Sequence, residues 1–230
     1  MVMKTLIVNK YEHDFERSTV CFAQTMKPEE YKGKFVDRKY AIQENEIPVG
    51  NIDFVEYFLG KIVKPDYYPE WTKPLWYRTI FYSESKLIFL DKGFFVKPAD
   101  RNKRFKARVT KGSYSGSKKP PYMVSTIINI DNSKGEWRLY VQNGNIIFCG
   151  WYSELEIKEQ TLDNKYINQV QKLIPKNWCG TIDVGFLKTG ELVLIECNNP
   201  YSCGWYGKIE QYELYVNWLI EGYKYIKDRL

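Results

Sequence analysis

The segment 181–198 constrains this chain more than any other. It reads Thr-Ile-Asp-Val-Gly-Phe-Leu-Lys-Thr-Gly-Glu-Leu-Val-Leu-Ile-Glu-Cys-Asn. Two apolar, β-branched runs flank Thr189-Gly190, which reads as the two-residue turn of a hairpin with glycine where φ is positive. That turn sets Lys188 opposite Glu191 and Leu187 opposite Leu192, and the same register sets Asp183 opposite Glu196. Asn198 lies two residues further and shares the face of Glu196. Two carboxylates and an amide oxygen then lie together. Like charges facing each other in a sheet are destabilising, so a positive charge is expected between them. Hard oxygen donors suit Mg²⁺ or Mn²⁺, above all where phosphate supplies further ligands. Two unrelated acids on a solvated sheet face would produce the same pattern.

The remaining elements follow from local signals. Residues 5–8, 18–22 and 40–43 are strand-like. Asn51 can cap a helix in which Ile52, Val55 and Leu59 recur at helical spacing, and Gly60 can end it. The stretch 61–80, punctuated by Pro65, Pro69 and Pro74, reads as a connector rather than a packed element. It is the best boundary between a small N-terminal unit and the rest. Strands are expected at 94–97 and 122–130, with a loop at 112–117. Asn143-Gly144 is a hairpin turn between 137–142 and 145–151. A helix at 163–173 ends at Pro175, two more strands follow, and 209–229 is a closing helix. The fold class is α+β, with an antiparallel sheet in the C-terminal half.

Composition narrows the function classes. With 44% hydrophobic and 27% charged residues, the chain is neither disordered nor membrane-spanning. Its start lacks a basic, long-apolar leader, which predicts a cytoplasmic protein. The five cysteines are scattered without a C-x-x-C pair, against a zinc ribbon or a disulfide framework. His13 is the single histidine, which disfavours Ser-His-Asp and Cys-His mechanisms. Acid–base and metal chemistry must come from carboxylates, lysines, arginines and amides. The net charge of +6 favours acidic partners such as nucleotides. Five basic residues, Arg101, Lys103, Arg104, Lys106 and Arg108, crowd one stretch.

Two further features stand out. Lys97 ends an apolar strand ahead of this basic stretch and can reach a phosphate as a point charge, although a lone lysine there also fits a surface position. Glu136 and Arg138 share one strand face, which fits a surface ion pair equally well. A cation and a metal face in one chain are what a triphosphate needs.

Taken together, these pieces resemble the ATP-grasp superfamily. Ile182-Asp183 with Leu194-Ile195-Glu196-Cys197-Asn198 resembles its closing motif, an Asp on one strand and Glu-x-Asn on the next. Phe95-Val96-Lys97-Pro98-Ala99-Asp100 resembles the strand of the phosphate-binding lysine. Val124-Ser125-Thr126-Ile127 falls where the adenine-contacting hinge is expected, and Glu136-Trp137-Arg138 resembles the later Glu-x-Arg strand. All four occur in order, and Pro48-Val49-Gly50 and Lys64-Pro65-Asp66 look like a compact clade common in bacterial and phage genomes. The resemblance runs from about 41 to 205.

It implies two α+β subdomains, 81–126 and 127–230, holding ATP between them, with 1–80 as a small preceding α/β unit that helps bind the acceptor. Asp183, Glu196 and Asn198 would hold Mg²⁺ or Mn²⁺. Lys97, with Lys103 or Arg104, would contact phosphates. Val124, Ser125, Thr126 and Glu136 would complete the nucleotide site, and Arg138 would face the transferred phosphoryl group. The implied activity is an ATP-dependent carboxylate–amine ligase working through an acyl phosphate on small-molecule or peptide substrates. A phosphotransferase acting on another acceptor, or a basic protein binding nucleic acid, are the competing readings.

Overall fold

The computed structural model describes residues 3–12, 15–100, 105–115, 121–201 and 203–230. His13, Arg101, Lys103 and Arg104 lie outside the described residues.

The chain opens with strand β1 (Lys4–Asn9), helix α1 (Phe15–Met26), and strands β2 (Tyr31–Val36) and β3 (Glu46–Val49). They form a parallel sheet of order β2-β1-β3. The near-continuous apolar run of β1 suits a central parallel strand covered on both faces. The stretch 18–22 reads as a strand but lies inside α1. Glu16, Thr19, Val20 and Ala23 are its buried residues, spaced to give one buried helical face that overrides the local β preference. Residues 40–43 form no strand; Tyr40 and Ile42 instead pack against Ile7, Val36 and Phe54. Helix α2 (Ile52–Leu59) is capped as its sequence predicts, with the Asn51 side chain accepting from the Phe54 N–H at 2.9 Å.

The proline-punctuated stretch is packed, contrary to expectation. It contains a 3₁₀ helix (Glu70–Leu75), and Tyr67, Tyr68 and Leu75 are buried in a cluster with Met123, Trp137 and Ile182. Prolines shape a backbone without exposing it, and the aromatic rings here supply the apolar area.

Strands β4 (Ile80–Ser83), β5 (Leu87–Phe89), β6 (Phe94–Pro98), β7 (Arg108–Thr110), β8 (Ser113–Ser115) and β9 (Tyr122–Thr126) follow. They make an antiparallel sheet of order β4-β9-β6-β7 and a β5-β8 pair. Part of the expected loop at 112–117 is therefore strand, because β5 offers it a partner edge. The strand expected at 122–130 stops at Thr126, and Ile130 forms only an isolated bridge with Leu187.

The last sheet comprises β10 (Glu136–Gln142), β11 (Asn145–Tyr152), β12 (Gly180–Phe186) and β13 (Leu192–Asn198), in the order β11-β10-β12-β13. Asn143 and Gly144, at φ 50° and 77°, make the left-handed turn between β10 and β11. Helix α3 (Asn164–Gln171) is capped by Asp163. Helix α4 (Tyr212–Lys227) closes the chain. Its buried face joins residues of β1 and α1 to Tyr140 and Trp205 in one core cluster. No helix among the described residues is long and apolar enough to cross a membrane.

Candidate active site

Alternation along the C-terminal sheet separates two chemistries. Trp137, Leu139, Val141, Ile182, Val184 and Leu194 enter the apolar cluster. Arg138, Asp183 and Glu196 emerge on the other face, because Asp183 pairs with Arg138 on one side and with Glu196 on the other. The pairing of Asp183 with Glu196 is the one the hairpin sequence predicts, but the route differs. Phe186, not Leu187, faces Leu192. The Leu187 N–H donates to the Glu191 carbonyl at 2.9 Å, so Lys188, Thr189 and Gly190 form a three-residue loop and Lys188 does not face Glu191. The register then shifts between Val184–Leu194 and Asp183–Glu196, leaving Ile195 as a β-bulge. The longer turn and the bulge offset each other, and the expected carboxylate pair results.

The positive charge expected between the carboxylates comes from two side chains. Arg138 grips Asp183 bidentately, Nε to Oδ1 at 2.8 Å and Nη2 to Oδ2 at 2.7 Å. Lys97 reaches from β6, in the other sheet, and donates to Glu196 Oε2 at 2.8 Å. Its ammonium lies 4.2 Å from the Tyr67 ring centroid and 4.8 Å from that of Tyr68. Burial opposes the charge on Lys97, but Tyr68 and Glu196 outweigh it and the ammonium pKa is raised. Arg138 behaves alike, with burial opposed by its bonds and charge attraction to Asp183. Both cations stay ionised inside the protein.

Glu136 and Arg138 do not form the surface pair their spacing allows. Glu136 instead accepts from the Tyr152 hydroxyl at 2.6 Å. Burial, with Asp183, Glu196 and Glu154 nearby, lifts its carboxyl above the usual glutamate range despite that bond. Glu136, Arg138, Asp183 and Glu196 line one cavity of about 380 Å³, together with Tyr152 and Ile195. Asn198 lines a different cavity, with Trp71, Trp178 and Asn199. Its amide nitrogen is buried without a hydrogen-bond partner among the described residues. On β9, Ser125 is buried and pairs with Phe95, while Val124 packs with Ile88, Phe94 and Val96. The Val124 side chain thus lies on the face opposite Lys97, since neighbours along a strand alternate. Thr126 is exposed and its hydroxyl accepts from the Thr79 N–H.

Sequence reading missed Arg78 and Tyr68. Arg78 Nη2 donates to the carbonyls of Leu194 at 2.7 Å and Ile195 at 3.1 Å, and the Tyr68 hydroxyl donates to Ile195 at 2.6 Å. Both residues lie in the stretch that reads as a connector, and no local pattern marks them.

The two carboxylates fit a divalent cation by donor chemistry. Among the described residues no three His, Cys, Asp or Glu side chains gather as a metal-holding group. Asp183 and Glu196 share one cavity and offer carboxylate oxygens, whereas Asn198, the third donor expected from the sequence, lines a different cavity. Phosphate oxygens would supply the rest, as they commonly do for Mg²⁺.

A family model for the ATP-grasp domain, family 2 of the R-2-K clade, matches residues 74–214. The chain belongs to this ATP-grasp family. Among solved structures, it is similar to the ATP-grasp ligase PsnB complexed with a phosphomimetic variant of a minimal precursor, Mg and ADP. The identity is 11%, the TM-score 0.55, and the match covers 96% of this chain and 99% of that one. It is also similar to the macrocyclase MdnC bound with precursor peptide MdnA from Microcystis aeruginosa MRC, at 12% identity and TM-score 0.53, over 93% and 99% of the two chains. At such identities the likeness is one of fold. No curated protein matches the sequence.

Proposed function

We propose that this enzyme is an ATP- and Mg²⁺-dependent ligase that joins a carboxylate to an amine through an acyl phosphate, releasing ADP and phosphate. The observation that carries the reading is the two ion pairs Lys97–Glu196 and Arg138–Asp183, whose carboxylates face each other across β12 and β13. Lys97–Glu196 joins the two four-stranded sheets, and Arg138–Asp183 lies beside it within the C-terminal sheet. Asp183 and Glu196 would hold Mg²⁺, which when bound neutralises phosphate charge. Lys97 would leave Glu196 for a phosphate oxygen, a fixed positive charge held ready over the rings of Tyr67 and Tyr68. Arg138 would meet the transferred phosphoryl group while Asp183 holds its guanidinium in place. Such prearranged charge supplies most of the rate in phosphoryl transfer. No histidine base is required, in keeping with a chain that has a single histidine.

Ser125 and Thr126 would serve the nucleotide from β9, with Lys103 and Arg104 assisting. Residues 1–80 would form the preceding unit and 81–230 the ATP-grasp unit. PsnB and MdnC are described with precursor peptides, which supports a peptide among the substrates.

Thermal unfolding tests the reading. ATP and Mg²⁺ together are expected to raise Tm by ligand linkage, and the rise is expected to vanish in Glu196→Ala and Lys97→Ala. No rise in the wild type at millimolar ATP would refute nucleotide binding. A stable phosphorylated product, in place of an amide, would refute the ligase in favour of a phosphotransferase.

A further inference from the structure

The β-bulge at Ile195 decides which way Glu196 points. From Phe186–Leu192 through Val184–Leu194 the pairing of β12 with β13 is regular. Continued without a bulge, it would set Ile195 opposite Asp183 and Glu196 opposite Ile182. Side chains alternate between faces, so a one-residue slip would turn Glu196 into the apolar cluster that holds Ile182. The extra residue prevents this, and re-aiming a side chain is what bulges at functional sites do.

A bulge also displaces backbone groups from the ladder, and these must be bonded elsewhere. The carbonyls of Leu194 and Ile195 are taken by Arg78, and Ile195 also by Tyr68. Just beyond, the Cys197 N–H donates to the Tyr67 carbonyl at 2.9 Å. The segment around Tyr67–Arg78 thus lines the outer edge of β13 on both sides of Glu196. Arg78 is an expensive way to bond two carbonyls. Its Nε is buried without a partner among the described residues, and among them no carboxylate pairs with it. Its guanidinium lies 5.0 Å from the Tyr68 ring centroid, and Tyr68 is the residue whose ring also carries Lys97.

We infer that Arg78, with Tyr68, is a positioning residue that holds the Ile195 bulge and thereby keeps Glu196 on the nucleotide face beside Asp183. The inference rests on the reading of Glu196 as a metal-holding carboxylate.

Two measurements test it on wild type, Arg78→Ala, Arg78→Lys and Tyr68→Phe. One is hydrogen exchange of the 192–198 backbone by mass spectrometry. The other is the Mg²⁺ concentration giving half of the ATP-induced rise in Tm. Groups that orient metal ligands commonly contribute ten- to a hundredfold in metal affinity. Arg78→Ala is expected to speed exchange at 192–198 and to raise the half-saturating Mg²⁺ about tenfold. Arg78→Lys, which keeps a donor, should recover part of both. If Arg78→Ala does not fold, Tyr68→Phe, which keeps the ring and loses the hydroxyl, should shift both readouts the same way by less. A lowered Tm with wild-type exchange at 192–198 and an unchanged Mg²⁺ requirement would overturn the inference. If wild type shows no ATP and Mg²⁺ response, the ligase reading fails, and the exchange measurement alone decides whether Arg78 holds the bulge.

Discussion

Replacing Arg138 by methionine should be among the most destabilising single changes in the C-terminal sheet. Its side chain is 11% exposed and that of Asp183 only 2%, so water screens the pair little. Methionine keeps much of the aliphatic stem but removes both charge-assisted bonds from a buried carboxylate. Breaking a buried pair by deleting one partner costs about 3–5 kcal/mol. With a urea m-value of about 3 kcal/mol/M, at the upper end for a small protein, the midpoint should fall by roughly 1–1.7 M. Trp137, adjacent on β10 and buried, reports the transition by fluorescence. The companion is Arg138→Met with Asp183→Asn, which removes the stranded charge as well. Its cost should be clearly smaller than the sum of the two single changes, the signature of direct coupling. A loss below about 1 kcal/mol, as for an exposed pair, or strict additivity would refute the view that this pair is buried and strongly coupled.

Three other outcomes are expected. Glu136 has a carboxyl pKa raised chiefly by burial, so the folded state holds its proton more tightly than the unfolded chain. It therefore costs stability as pH rises from the ordinary glutamate range through the raised value, and Glu136→Gln should raise Tm at pH 7–8 with no gain in acid below that range; an equal gain at both would refute the shift. At Gly150 an added Cβ would lie 2.7 Å from Tyr206 Cβ and 2.9 Å from its carbonyl oxygen. Gly150→Ala should thus push the 204–206 segment off the sheet and cost about 1–3 kcal/mol, whereas wild-type stability in a urea melt would show that this approach is not tight. Burial pushes the thiols of Cys149 up to about 12 and Cys203 up to about 11, and raises those of Cys179 and Cys197. A disulfide reagent at pH 8 should label none of the buried Cys179, Cys197 and Cys203 quickly in the native protein and all five thiols in urea, and rapid native labelling of any of these three would contradict their burial.

Much of the site was readable from spacing because strands impose a simple rule on side chains. A two-residue turn over 181–198 predicts Asp183 opposite Glu196, and the pair does form, although by a longer loop offset by the bulge at Ile195; the positive charge demanded between the carboxylates is supplied by Arg138 and Lys97. Helix α2 and the hairpin at Asn143-Gly144 were equally legible, since a cap and a left-handed turn are local chemistry. Residues 18–22 misled because their β-branched run carries less weight than the buried face α1 presents. The stretch 61–80 misled more, since its prolines disguised Tyr67, Tyr68 and Arg78 as a linker. The side chain of Val124, a residue expected beside the nucleotide, packs in the cluster with Phe94 and Val96, a placement set by the pleat and not by its position in the chain.

Local signals in the chain specify the family, the α+β class, the two C-terminal hairpins and the candidate charged residues. Those follow from motif order, turn residues and the two-residue period of a strand, which act over a few positions. The tertiary structure decided which cation meets which carboxylate, that Asn198 borders a different cavity, and that Arg78 and Tyr68 clasp the bulge beneath Glu196. Those contacts join residues far apart in the chain, 45 positions for Arg138 to Asp183 and 99 for Lys97 to Glu196. Only the packing of separate sheets fixes such distances, and no local period in the chain encodes them.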